Sequence, residues 1–189
     1  QEKQALYAII ESVSSERLEN DIQTLVDFGT RHTLSDTLSS SRGIGAARRW
    51  IKSEFESISK DCNNCLKVFE QKNYFTPKDG DRIVKPVWIN NIVALQRGKT
   101  HPNRFIIMSG DIDSRISDPT NYTEDSPGAN DNASGMAGTI EAARVLSKYT
   151  FENSILYVGL AGEEQGLFGG KGLAAYAQEQ GWEIIGILN

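Results

Sequence analysis

Phe105-Ile106-Ile107-Met108-Ser109-Gly110-Asp111-Ile112-Asp113-Ser114 carries four consecutive apolar residues straight into a glycine and two carboxylates. An unbroken apolar run of this length, closed by a turn signal, reads as a strand buried on both faces. A second such run, Ile155 to Leu160, leads into Ala161-Gly162-Glu163-Glu164-Gln165-Gly166. Between the two strands, Ala133 to Tyr149 reads as a helix, and Leu167 to Gln178 and Ile184 to Leu188 add a further helix and a last strand. Strands alternating with helices indicate an α/β sheet that is largely parallel in this half. Upstream, Leu66 to Phe75 and Val87 to Leu95 read as successive strands joined by a Pro77–Gly80 turn and polar residues. The first 60 residues are helical in pattern. Leu6, Ile9, Ile10 and Val13 share one face, Leu18, Ile22, Leu25 and Val26 continue after the Ser14-Ser15 cap, and Ala47, Trp50, Ile51, Phe55 and Ile58 mark a third helix. Thr30 to Ser40 is polar and loop-like. We therefore expect one domain over residues 1–189, with a helical segment to about 60 and a sheet core from about 61.

Composition narrows the function. The 189 residues are 39% hydrophobic and 24% charged, with 17 Gly and 5 Pro, which argues against disorder, collagen-like repeats and a disulfide-dense miniprotein. A net charge of −5 disfavours nucleic acid or a polybasic membrane surface as partner, and no run approaches the ~18 apolar residues of a membrane span. Because the sequence opens at Gln1 rather than Met, we expect an N-terminal signal to have been removed and the protein to be secreted or periplasmic. With two His and two Cys in the chain, any metal site must lean on oxygen ligands.

Position makes the carboxylates informative. Ligands of open α/β sheets bind beyond the carboxyl ends of the strands. Asp111 and Asp113 follow one strand there, Glu163 and Glu164 follow the other, and the turn Pro127-Gly128-Ala129-Asn130-Asp131-Asn132-Ala133-Ser134-Gly135 opens the helix between them. Any one of these acids could cap a helix or coat a loop. Three clusters at successive strand ends repel one another and call for a cation. Adjacent Glu163 and Glu164 point apart along an extended segment, so one can bind metal while the other handles a proton.

In order and wording, these three motifs resemble the M28 family of zinc aminopeptidases, a likeness running from about Arg42 to Asn189. The resemblance implies a three-layer α/β/α zinc-exopeptidase fold with a mixed, centrally parallel sheet. It further implies a pair of zinc ions bridged by Asp131, with Glu164 as a ligand and Glu163 as the general base acting on water. Asp113 matches the carboxylate that orients the first ligand, and a cis peptide is expected between Asp131 and Asn132. The substrates implied are peptide or protein N-termini.

This sequence departs from the family pattern twice. The first motif ordinarily reads His-x-Asp, whereas Asp111 stands at the His position. Asp111 can still bind zinc, but it has no ring N–H to give Asp113, two close carboxylates raise a pKa, and the change favours harder ions such as Mg, Mn or Ca. The family also carries an Asp ligand just after a strand like Ile184–Leu188 and a His ligand much later, whereas this sequence ends at Asn189. His32, after a helix end, and His101, in a Lys-Thr-His-Pro turn, read as surface or loop histidines. We therefore expect the domain to be shortened at its C-terminus and to hold about half of a two-metal site.

Three functions compete on this evidence: a metal-dependent aminopeptidase, a non-catalytic homologue binding a partner or a harder ion, and a glutaminyl cyclase-like single-zinc transferase. Outside the site, Cys62-Asn63-Asn64-Cys65 allows a redox pair, half of a zinc site, or a local disulfide in an exported protein. Asn121-Tyr122-Thr123 and Asn132-Ala133-Ser134 match the glycosylation sequon, the second inside the candidate site.

Overall fold

The computed structural model describes residues 2–189. Its elements run α1 (Glu2–Glu11), α2 (Ser15–Asp27), α3 (Gly43–Asp61), β1 (Leu66–Phe75), β2 (Val87–Gln96), β3 (His101–Asp111), α4 (Ser134–Leu146), β4 (Asn153–Leu160), α5 (Phe168–Glu179) and β5 (Glu183–Leu188). The Ser14 hydroxyl caps α2 by accepting from Arg17 N at 3.2 Å. The strands order as β1-β2-β4-β3-β5. β1 pairs with β2, and β2 with β4, in antiparallel fashion. β3 lies parallel to both β4 and β5, so the sheet is mixed with a parallel centre.

Alternation across the pleat builds two apolar layers. On one face Ile92, Ala94, Ile155 and Tyr157 meet Ile51 and Phe55 of α3 and Met136 and Ile140 of α4. On the other, Val93, Leu95, Phe105, Ile107, Leu156 and Val158 meet Leu173 of α5 and the half-buried Trp182. Burying each such side chain contributes about 1.5–3 kcal/mol, which makes the expected α/β/α sandwich.

Two details differ from the periodicity. β3 begins at His101, four residues before its apolar run, because its first residues are exposed and pattern-free. The helix expected from Ala133 is preceded by an irregular turn, Ala129–Ala133, in which Asp131 is extended (φ −117°, ψ 98°).

Register decides where the chemistry sits. In the parallel β3/β4 pair, Asp111 stands opposite Leu160, so the Asp111–Ser114 and Ala161–Gly166 segments leave the sheet side by side. Gly110 makes this possible: a Cβ there would come within 2.4 Å of Gly135 C and Met136 N. Both are backbone atoms of α4 and cannot yield. Gly110→Ala is therefore expected to cost about 2–4 kcal/mol in a urea melt, by forcing α4 off the strand. A loss below about 0.5 kcal/mol would refute the close packing.

A second test arises between the helices. Asp21 of α2 is buried, with Oδ2 lacking a hydrogen-bond partner. Burial, then Glu54 of α3, raises its pKa to about 6, with Glu141 of α4 adding and Arg17 and Arg144 opposing. A carboxyl whose folded pKa exceeds its unfolded value near 3.8 stabilises fully below the unfolded pKa, and that contribution is lost as pH rises through the folded one. Wild-type stability should thus fall by about 2 kcal/mol from this group between pH 4 and 7, and Asp21→Asn should remove that component. Parallel stability-against-pH curves for the two proteins would show the idea wrong.

Candidate active site

Asp113 organises the rim. It is 1% exposed, and its carboxylate accepts from Thr33 Oγ1 at 2.9 Å and from the backbone N–H groups of Glu163 and Glu164, both at 3.1 Å. The segment holding the two glutamates is a turn rather than an extended run, closed by Gly166 N and Leu167 N donating to Glu163 O at 2.9 Å. Asp113 thus fixes the position of that turn through its backbone. Burial, against those three hydrogen bonds, pushes the Asp113 carboxyl up to about 7, with Asp111 adding a smaller rise.

Arg31 ties the neighbouring loops to the same point. It is 1% exposed and donates from Nε to Ile112 O (2.8 Å), from Nη1 to Leu25 O (2.9 Å) and Pro127 O (2.6 Å), and from Nη2 to Gly128 O (2.9 Å). Desolvation lowers its pKa to about 10, while Asp113 and Asp131 favour its charge. The end of α2, the strand end at Ile112 and the turn before Asp131 therefore share one guanidinium.

The other carboxylates converge electrostatically. Burial raises Asp111 to about 6, with Glu163 and then Asp131 adding to the rise. Glu163 is also raised, first by burial and then by Glu164 and Asp131, with Arg115 and Arg82 opposing. Asp131 lies exposed on its turn, joined to Asn132 by the expected cis peptide. Glu164 is held at three points: by Asp113 through its N–H, by Arg82 Nη1 on its carbonyl at 2.7 Å, and by the Arg115 guanidinium on its carboxylate.

Carboxylates gathered this closely are chemically apt donors for a divalent cation. Asp111, Asp131, Glu163 and Glu164 make up this donor set. They do not close a cage: among the described residues no group of three or more His, Cys, Asp or Glu side chains is arranged to hold an ion. Glu164 takes its compensating charge from Arg115 instead.

Arg31, Thr33, Arg82 and Arg115 escaped the sequence reading. The Thr30–Ser40 stretch looks like a polar loop, yet Thr30 to Ser35 is buried. Nothing local signals that. Arg115 directly follows Asp111-Ile112-Asp113-Ser114, and adjacency alone could have flagged it. His32 lies in that loop as expected, but is buried rather than at the surface. Leu34 N donates to its Nδ1 at 3.1 Å, leaving Nε2 to donate to Pro119 O at 2.9 Å. Burial lowers its pKa, so it stays neutral and fully engaged. His101, exposed, opens β3 at the opposite end from the carboxylates. Cys62 and Cys65 form a disulfide, which removes the dithiol and zinc alternatives for that pair.

The chain is similar to known proteins in sequence and in fold. The family model described as Peptidase family M28 matches residues 91–189. A probable zinc metalloprotease of Pyrenophora teres f. teres is 44% identical over 184 residues, covering 97% of this chain and 38% of its own length. Another, from Leptosphaeria maculans, is 43% identical, with 99% of this chain and 43% of its own length covered. The chain thus spans about two fifths of the length of these curated relatives. Among solved structures, the LapA aminopeptidase of Legionella pneumophila superposes with a TM-score of 0.74 at 22% identity, over 99% of this chain and 45% of its own. The Fimbriiglobus ruber glutaminyl cyclase does so at 0.70 and 19%, over 93% and 60%. At these identities the solved structures establish a shared fold.

Proposed function

Because this chain belongs to peptidase family M28, we propose that it supplies the carboxylate rim of a secreted zinc-dependent aminopeptidase acting on peptide or protein N-termini. The observation that carries the reading is the gathering of Asp111, Asp131, Glu163 and Glu164 beyond the parallel β3/β4 pair, close enough that the other three raise the pKa of Asp111 and that Glu164 and Asp131 raise that of Glu163. Zinc metalloprotease relatives support the choice of metal, and the Cys62–Cys65 disulfide suits an exported protein. Asp131, Glu164 and Asp111 are the residues that would contribute ligands to zinc, with two ions proposed for the complete site. Bound there, the metal would polarise the scissile carbonyl and acidify water. Glu163 would take a proton from the attacking water at its carboxylate and return it to the departing amine. Asp113 holds the backbone of the Glu163–Glu164 turn through their N–H groups, which fixes where the two side chains leave the rim.

Elemental analysis combined with residue release from peptides tests the reading. Near-stoichiometric zinc, with cleavage of free but not acetylated N-termini, is expected. The Arg115–Glu164 ion pair favours a second reading, a non-catalytic domain whose carboxylate is neutralised by arginine. Metal-free protein that releases nothing would select it. Cyclisation of an N-terminal Gln peptide with loss of ammonia, in place of residue release, would assign a glutaminyl cyclase.

A further inference from the structure

The connection from β3 to the Ala129–Ala133 turn carries a motif that the candidate chemistry leaves unused. Asn121-Tyr122-Thr123 satisfies the Asn-x-Thr rule for N-linked glycosylation, with no proline at the middle position. The segment has no regular secondary structure, and Thr123, Glu124 and Asp125 are exposed. Asn121 Oδ1 accepts from Thr123 N, Thr123 Oγ1 and Glu124 N at 3.1–3.2 Å. These bonds fix the acceptor side of the amide and leave its nitrogen free. Among the described residues Nδ2 has no hydrogen-bond partner, and it is not one of the buried unpaired polar atoms. The Lys85 ammonium lies 3.8 Å from the Tyr122 ring centroid. The amide nitrogen of the half-buried Asn121 can therefore be substituted without breaking a hydrogen bond among the described residues.

The second sequon is a built-in contrast. Asn132 of Asn132-Ala133-Ser134 has its Oδ1 buried and unpaired, and its amide crowds the Gly135 backbone: a Cβ on Gly135 would strike the Asn132 side chain. The Ser134 hydroxyl is occupied, donating to Asn130 O at 2.8 Å. The Cys62–Cys65 disulfide suits folding in an oxidising compartment, of the kind in which glycosyl transfer also occurs.

We propose that Asn121 is an N-glycosylation site and that Asn132 is not. In the transfer, the anomeric carbon of a lipid diphosphate-linked oligosaccharide bonds to Asn121 Nδ2, the amide loses one proton, and the lipid diphosphate departs. No oxidation or reduction is involved. The glycan would stand on the loop whose Pro119 carbonyl anchors His32.

The experiment is secretion of the protein from a eukaryotic host, followed by intact-mass measurement before and after peptide:N-glycosidase treatment. One glycan's mass should be lost, with Asn121 converted to Asp in the peptide map. Asn121→Asp, which keeps the oxygen that caps Thr123 and Glu124, and Thr123→Ala should each abolish the shift, while Ser134→Ala should leave it unchanged. An enzyme-insensitive wild-type mass, a shift surviving in Asn121→Asp, or a shift lost in Ser134→Ala would each overturn the proposal. Because these readouts involve neither metal nor hydrolysis, the outcome is independent of the peptidase reading.

Discussion

Glu163→Gln should lower kcat/KM for release of N-terminal residues by roughly 10²–10⁴-fold, the usual contribution of a positioned general base, with zinc content equal to that of the wild-type protein. The substitution suits the question because glutamine matches glutamate in shape and keeps the backbone N–H that donates to Asp113. Only the ability to take up a proton is lost. Glu163 is half-buried and bordered by Glu164 and Asp131, which raise its pKa after the larger effect of burial. A base so placed holds a proton more readily than a free carboxylate. Unchanged turnover would remove Glu163 from that role. A parallel fall in bound zinc would make it a ligand instead, exchanging its assignment with Glu164.

Arg31→Ala carries the largest expected cost to stability, about 3–5 kcal/mol in urea titration. The guanidinium satisfies four backbone carbonyls, from Leu25, Ile112, Pro127 and Gly128, and removing it leaves the first two without that donor in a buried setting and the other two in a part-buried one. Asp113 and Asp131 would also lose the positive charge that Arg31 gives their neighbourhood. Arg31→Lys should recover less than half of the loss, since an ammonium cannot span four acceptors in a planar fork. Amide exchange should accelerate first in the Pro127–Ala133 turn, which Arg31 tethers at two points. A cost below about 1 kcal/mol would mean that the carbonyls find water, and that the turn is held by something else.

The α/β class and the location of the acids were legible because both follow from local patterns. A buried central strand must be continuously apolar, as Phe105–Met108 and Ile155–Leu160 are, and the residues after it must lie at the rim. The family motifs at Asp111–Ser114, Pro127–Gly135 and Ala161–Leu167 added the roles proposed for the individual carboxylates. The sequence could not reveal the company these acids keep. Thr33 and Arg31 sit in a stretch with no apolar period, and they reach Asp113 and Ile112 across 80 and 81 residues of chain. Likewise, the Arg115 that neutralises Glu164 lies 49 residues away from it.

Composition and periodicity alone thus determined that this chain forms a sheet with carboxylates gathered at one edge, because hydrophobic burial acts residue by residue. Tertiary structure alone decided which charges are compensated and which remain exposed to each other. Desolvation and Coulomb interaction depend on distance in space, and only the folded chain sets those distances.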